Sequence, residues 1–321
     1  MNFLIGNTPL IRIHYEYQGK PNYIYTKLEY YNVTGSIKDR IAYQMIDTAK
    51  KEGVLKKGMP IIEATSGNTG ISFAAMGAYY KHPVIIFMPD WVSCERKKLM
   101  ELYGAEVHLI SKEEGGFEAC IKKADKLAKD INGFRPQQFE NEINTLTHYQ
   151  TTAKEIETDL DEVPGRVISG IGTGGTLMGL GKYLKEIYPT IQVIAMEPEE
   201  SPLITKGYTG NHELEGIGDD FLPRLVELDA IDDTILISSK DARKMAQKLA
   251  SSLGLGVGIT SGANVLASIL TNGDKKSVTV CPDDAKKYLS TPLMKMDKTS
   301  SIVDEIILLN FEIVGTEKFT L

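Results

Sequence analysis

Tryptophan occurs once and cysteine three times in 321 residues. Cys94, Cys120 and Cys281 are an odd set without CxxC spacing, so they give no framework for disulfides or a zinc site. Histidine is also scarce. The five residues, at 14, 82, 108, 148 and 212, make no HxH or HExxH pair, and no metal is expected. No apolar run is long enough to span a bilayer. The opening MNFLIGNTPLIRI lacks a charged segment followed by an apolar one, so no signal peptide is expected and the chain reads as cytoplasmic. Basic clusters are missing and the formal net charge is −7, which speaks against nucleic acid or an anionic membrane as partner.

What is present is an ordinary soluble composition, with 42% apolar and 25% charged residues. From residue 59 onward short apolar runs alternate with helical periodicity. MPIIEA, HPVIIFMP and AEVHLI read as strands, separated by helices NTGISFAAMGAYY and SCERKKLMELYG, and EACIKKADKLAK reads as a further helix. The cycle restarts at RVISG and runs through GGTLMGLGKYLKEI, IQVIAMEP, DTILIS, KDARKMAQKLASSL and SVTVCPD. Such alternation predicts an α/β fold of parallel sheets flanked by helices. The break near GFRPQQFENEIN divides it into two lobes. IILLNFEIV, in the tail from 294 to 321, is left to pack on the body or at a dimer contact.

Ligands of open α/β sheets bind where strands lead into helices, and three such loops stand out. EATSGNTGIS, residues 63–72, sets hydroxyls and an amide beside two glycines at a helix start, a place that favours a carboxylate. VISGIGTGGTLMG, residues 167–179, has five glycines, an N–H-rich cradle suited to phosphate. Its Gly170, Gly172 and Gly175 also match G-x-G-x-x-G, with Glu197 ending the next strand, so an NAD enzyme is a competing reading. In VGITSGANVLASI, residues 257–269, Thr260 and Ser261 read locally as a plain helix cap. Lys38, in YYNVTGSIKDRIAYQMI, reads locally as a surface charge in a first helical turn.

In order along the chain, YNVTGSIKDR, TSGNTGI, QFENEIN, GTGGTLMG and GITSGAN resemble the cysteine synthase and cystathionine β-synthase family, pyridoxal-phosphate enzymes of fold type II. IGNTPLIRI and PDDAKKYLST extend the resemblance from about Ile5 to Thr291. It implies a two-lobed fold: residues 35–142 form a smaller mobile lobe, and 1–34 plus 143–321 a larger lobe holding the phosphate loop. By the same resemblance Lys38 carries pyridoxal 5'-phosphate and acts as catalytic base. Gly172, Thr173, Gly174, Gly175 and Thr176 bind its phosphate, Asn68 its ring hydroxyl, and Ser261 faces its ring nitrogen. Thr65, Ser66, Thr69 and Gln138 hold the substrate carboxylate, and Gly216 lines the substrate cleft. A homodimer acting on a small amino acid is expected.

The chain departs from the family in four places. NVTGS stands where NPGGS is common, and GFEAC, with Phe117, where GMKGA is common. PDDAKKY, with Asp284, stands for PDSGERY. GIGDDF, with Asp219 and Asp220, stands for the GIGAGF of cysteine synthases. A carboxylate near Cβ repels an anionic hydrosulfide and can take a proton from water. Asp219 and Asp220 therefore lean the reading toward cysteine and water giving serine and hydrogen sulfide. O-acetylserine-dependent cysteine synthesis and cystathionine β-synthase-like chemistry are the alternatives. A non-catalytic binding protein is a third, disfavoured by Lys38, Asn68 and Ser261.

Overall fold

The computed structural model describes residues 1–315; the last six residues of the expected tail and larger lobe lie outside it. The strands are β1 (Leu10–Tyr17), β2 (Lys20–Leu28), β3 (Ile61–Ala64), β4 (Val84–Pro89), β5 (Glu106–Ile110), β6 (Arg166–Gly170), β7 (Gln192–Pro198), β8 (Asp233–Ile237), β9 (Ser277–Cys281) and β10 (Ile306–Val314). The helices are α1 (Lys38–Lys51), α2 (Asn68–Tyr80), α3 (Cys94–Leu102), α4 (Gly116–Asp130), α5 (Ile143–Thr147), α6 (Ala153–Asp159), α7 (Gly175–Ile187), α8 (Leu203–Lys206), α9 (Ser239–Leu253) and α10 (Ile259–Thr271), with a π-helical turn at His148–Thr152.

The alternating pattern sorts into two sheets. β3, β4 and β5 form a parallel three-stranded sheet. The other seven run in the order β10-β1-β2-β9-β6-β7-β8. From β2 to β8 the pairs are parallel, while β1 pairs antiparallel with both β2 and β10. Periodicity therefore predicts the parallel strands but not this antiparallel border. β1 and β2 form a hairpin across Gln18 and Gly19, both at positive φ (52° and 72°), the backbone a two-residue turn requires. IILLNFEIV is β10, packing on the body through Ile306 and Leu308. β3 and β9 are buried along their whole length because helices cover both faces, although Glu63, Ser277 and Thr279 interrupt their apolar residues. Small residues let α2 lie tight on its sheet: a Cβ on Gly77 would come within 2.2 Å of Val84 Cγ2.

One side of α1 buries Ile41, Ala42, Met45, Ile46 and Ala49. Its first turn is held by charge. The Arg40 guanidinium donates to Glu29 through Nε at 2.6 Å and to Glu155 through Nη1 at 2.7 Å. Lys27 Nζ donates to the Thr8 carbonyl at 2.7 Å and to Asp159 at 3.1 Å, and lies 3.3 Å from Glu155. Burial alone would raise the Glu155 pKa, but the Arg40 hydrogen bond and the charges of Arg40 and Lys27 outweigh it and hold the carboxyl at about 2. Its folded pKa thus lies below its unfolded value of about 4.5. The contribution is complete above that value and is lost as pH falls toward 2. Glu155→Gln is expected to destabilise the fold by about 3 kcal/mol at neutral pH, by leaving buried Arg40 and Lys27 under-compensated. Urea unfolding should show that gap narrowing as pH drops below about 4.5.

Candidate active site

The loops singled out in the sequence converge where the carboxyl ends of β3, β6 and β9 meet the start of α1. A cleft there, with an empty volume of about 770 Å³ including its mouth, is lined by Lys38, Thr65, Ser66, Gly67, Asn68, Thr69, Gln138, Gly172, Thr173, Gly174, Thr176, Gly216 and Asp219. Three expected residues stand differently. Gly175 opens α7 one residue deeper, where an added Cβ would lie 1.9 Å from Asn144 Oδ1. Ser261 is buried in the first turn of α10, its hydroxyl donating to the Asp283 carbonyl at 3.2 Å, while its neighbour Thr260 lines the cleft. Asp220 is exposed and lines a wider outer cleft, which Asp219 also borders.

The carboxylate loop is stiffened from within. Gly67 N–H donates to Thr65 Oγ1 at 3.0 Å. Thr69 Oγ1 donates to Gln138 Oε1 at 2.6 Å, and Gln138 Nε2 to the Ala64 carbonyl at 3.1 Å. The phosphate-type loop is braced similarly. Asn144 Nδ2 donates to Thr173 Oγ1 at 2.9 Å, and Thr176 Oγ1 lies 3.3 Å from His148 Nε2. Burial pushes the His148 pKa well below its usual value, so this brace is a neutral imidazole. Gly174 has φ +85°, and a Cβ on Gly172 would lie 2.2 Å from the Gly216 carbonyl oxygen.

Desolvation lowers the Lys38 amine to about 8, although Asp219 and Asp283 pull it back up. Desolvation likewise raises Asp219 to about 6, with the Asp220 charge adding to the rise and Lys38 opposing it. Two groups that would be fully charged in water are thus brought toward neutral pH, where each can exchange protons. The departures from the family pattern find roles too. Thr34 donates to the buried Asp39 carboxylate through backbone N–H at 2.7 Å and through its hydroxyl at 2.5 Å. Asp284 caps the turn at 285–288. Phe117 meets Phe139 edge to face and stacks on Phe221, ring centres 5.6 and 6.4 Å away, beside the cleft.

Sequence patterns miss Asp283, Glu215 and Arg96. Asp283 accepts from Asn68 Nδ2 and from the Tyr288 hydroxyl, each at 2.8 Å. Its place at the end of β9, where α/β ligands gather, was the available signal. Arg96 sits in a lysine-rich helix that reads as surface.

A family model described as "Pyridoxal-phosphate dependent enzyme" matches residues 1–283. The chain belongs to that family. A cysteine synthase of Staphylococcus aureus is 41% identical over 303 residues, covering 92% of this chain and 96% of the relative. A solved hydrogen sulfide-producing enzyme of Fusobacterium nucleatum is 44% identical, covers 98% of each chain and superposes with a TM-score of 0.93. An aspartate-to-asparagine mutant of that enzyme, 43% identical with TM-score 0.94 and 97% of each chain covered, was solved with an α-aminoacrylate intermediate.

The protein is a pyridoxal-phosphate enzyme, and its cleft fits that group. The glycine cradle leaves N–H groups free at the α7 N-terminus. Asn68 Oδ1 and Asp283 Oδ1 are buried without hydrogen-bond partners, and a desolvated amine stands at Lys38. The NAD reading falls with the family, and Glu197 is already committed. Its carboxylate accepts from the N–H groups of Ile204 and Thr205 at 2.6 and 3.1 Å. Gly172→Ala should force the 172–176 and 216–220 segments apart and weaken pyridoxal-phosphate affinity about tenfold or more, read by equilibrium dialysis of the apoprotein.

Proposed function

We propose that this enzyme converts cysteine and water to serine and hydrogen sulfide. The observation that carries the reading is Asp219, a carboxyl in the same cleft as Lys38 whose pKa is raised to about 6. Pyridoxal phosphate supplies the electron sink that lets a Cα proton and a Cβ substituent depart. The rest is work for the chain. Thr65, Ser66, Thr69 and Gln138, with the N-terminus of α2, bind the cysteine carboxylate. Gly172 to Thr176 bind the phosphate, and Asn68 and Ser261 steer the ring. Lys38, uncharged in part near neutral pH, takes the Cα proton. Once sulfide has left, Asp219 takes a proton from water as its oxygen bonds to Cβ. Sulfide leaves as hydrosulfide; Lys38 then returns its proton to Cα, and Asp219 gives its proton to solvent, where the released hydrosulfide becomes hydrogen sulfide. Asp220, outside the inner cleft, keeps Asp219 basic by like charge.

Two considerations favour release over capture of sulfide. A carboxylate beside Cβ repels hydrosulfide and assists water. The F. nucleatum relative produces hydrogen sulfide, and its aspartate mutant was solved with an α-aminoacrylate intermediate. Similarity to cysteine synthases supports the second reading, cysteine formation from O-acetylserine and sulfide. We further propose that residues 35–142 form a lobe closing over bound substrate, and that the protein acts as a cytoplasmic homodimer.

Asp219→Asn should leave sulfide release from cysteine measurable in a single turnover while serine formation falls about 100-fold or more. In the unaltered enzyme serine formation should rise with pH through about 6 as Asp219 ionises, a limb the mutant should lack. Equal serine yields from both proteins across that range would contradict the assignment.

A further inference from the structure

Arg96 is buried in the first turn of α3, on the lobe proposed to close. Its Nη1 donates to the Ser66 carbonyl at 3.3 Å. Its Nε lies 3.0 Å from Glu215 Oε2, its Nη2 lies 3.7 Å from Asp283 Oδ2, and its guanidinium carbon is 5.0 Å from the Tyr288 ring centre. Gly67 packs on it so closely that a Cβ there would lie 2.1 Å from Nη1. Ser66 and Gly67 belong to the carboxylate loop. Glu215 directly precedes the Gly216–Gly218 turn that delivers Asp219, and the turn needs glycine, with φ of +93° at Gly216 and +69° at Gly218. A single cation thus joins the segment that holds the substrate to the segment that carries the base.

We propose that Arg96 is a positioning residue that sets the separation between substrate Cβ and Asp219, so that each sulfide-releasing turnover ends in serine. This rests on water being the acceptor. Arg96 Nε and Nη2, Glu215 Oε2 and Asp283 Oδ1 are all buried without a directed hydrogen bond. Charge and packing, rather than hydrogen-bond direction, therefore keep the two segments at their spacing. Burial raises the Glu215 carboxyl and the nearby Asp283 charge adds to it, while Arg96 opposes the rise. Removal of the cation leaves two carboxylates facing each other at the cleft wall, and the 215–220 segment yields outward.

The chemical consequence is specific. Thr65, Thr69 and Lys38 remain in place, so cysteine still binds and sulfide still departs. The three-carbon fragment, with no water delivered to Cβ, leaves as free 2-aminoacrylate and hydrolyses in solution. Cysteine and water then give pyruvate, ammonia and hydrogen sulfide instead of serine and hydrogen sulfide. Both routes balance without an oxidant.

The test uses the holoenzyme with cysteine and quantifies sulfide, serine and pyruvate for Arg96→Met, Arg96→Lys and Glu215→Gln. Arg96→Met should keep sulfide release per folded molecule within about threefold while the serine-to-pyruvate ratio falls about tenfold or more. Arg96→Lys, which keeps the charge without the planar fork, should recover part of the ratio. Glu215→Gln should shift it the same way as Arg96→Met, to a smaller extent. A ratio does not depend on how much enzyme folds, so loss of stability alone leaves it unchanged. If serine and sulfide fall together at constant ratio in all three variants, Arg96 only stabilises the fold and the inference is overturned while the water reading stands. If the unaltered enzyme makes no serine, the water reading is overturned. The inference, which rests on that reading, then falls with it.

Discussion

The grip of Arg40 on Glu29 and Glu155 is the interaction on which the site depends. Lys38 is two residues away in the same first turn, and the helix it begins enters the cleft at an angle fixed by that buried pair. The carboxylates come from distant segments, one just after β2 and one in α6, so the whole larger sheet is tied to the position of one amine. Taking charges out of water is costly, and it is tolerated here because each has partners: Lys27, Thr8 and Asp159 complete the set. The same desolvation, with less compensation, brings Lys38 to about 8 and Asp219 to about 6. The interior therefore holds one group of ions firmly charged for structure and another near neutrality for proton transfer.

On the proposed reading, binding falls to backbone rather than to charged side chains. The carboxylate and phosphate loops both open helices, where free N–H groups attract anions, and neither needs an arginine of its own. Positive side chains are thereby reserved for the spaces between segments. Arg96 lies behind the carboxylate loop, and Lys287 donates to the Gly35 carbonyl at 2.6 Å, tying the turn before α1 to the segment after β9. Asp219 lines the inner cleft with Lys38, and Asp220 only the outer one.

Strong local signals made much of this legible in the sequence. Parallel strands buried on both faces announce themselves as apolar runs, and RVISG and NTGISFAAMGAYY match β6 and α2 residue for residue. The glycine-rich and hydroxyl-rich loops could be read because few structural needs call for so many small polar residues at a helix start. The antiparallel border formed by β1, β2 and β10 was not legible, because IRIHYEY and IILLNFEIV carry no partner information and their pairing spans nearly the whole chain. Arg96 was invisible for a related reason. In SCERKKLMELYG it is one of three consecutive cations, and only the tertiary fold turns it inward while Lys97 and Lys98 stay outside. Asp219 and Asp220 were adjacent and equal in sequence; the path of the loop after Gly218 separates them.

The identity of the acceptor at Cβ is tested most directly by running the reaction with cysteine in water enriched in oxygen-18. Serine carrying one labelled oxygen in its side chain, formed in step with hydrogen sulfide, is the expected result. Sulfide release without labelled serine, together with cysteine formation from O-acetylserine and sulfide, would contradict it.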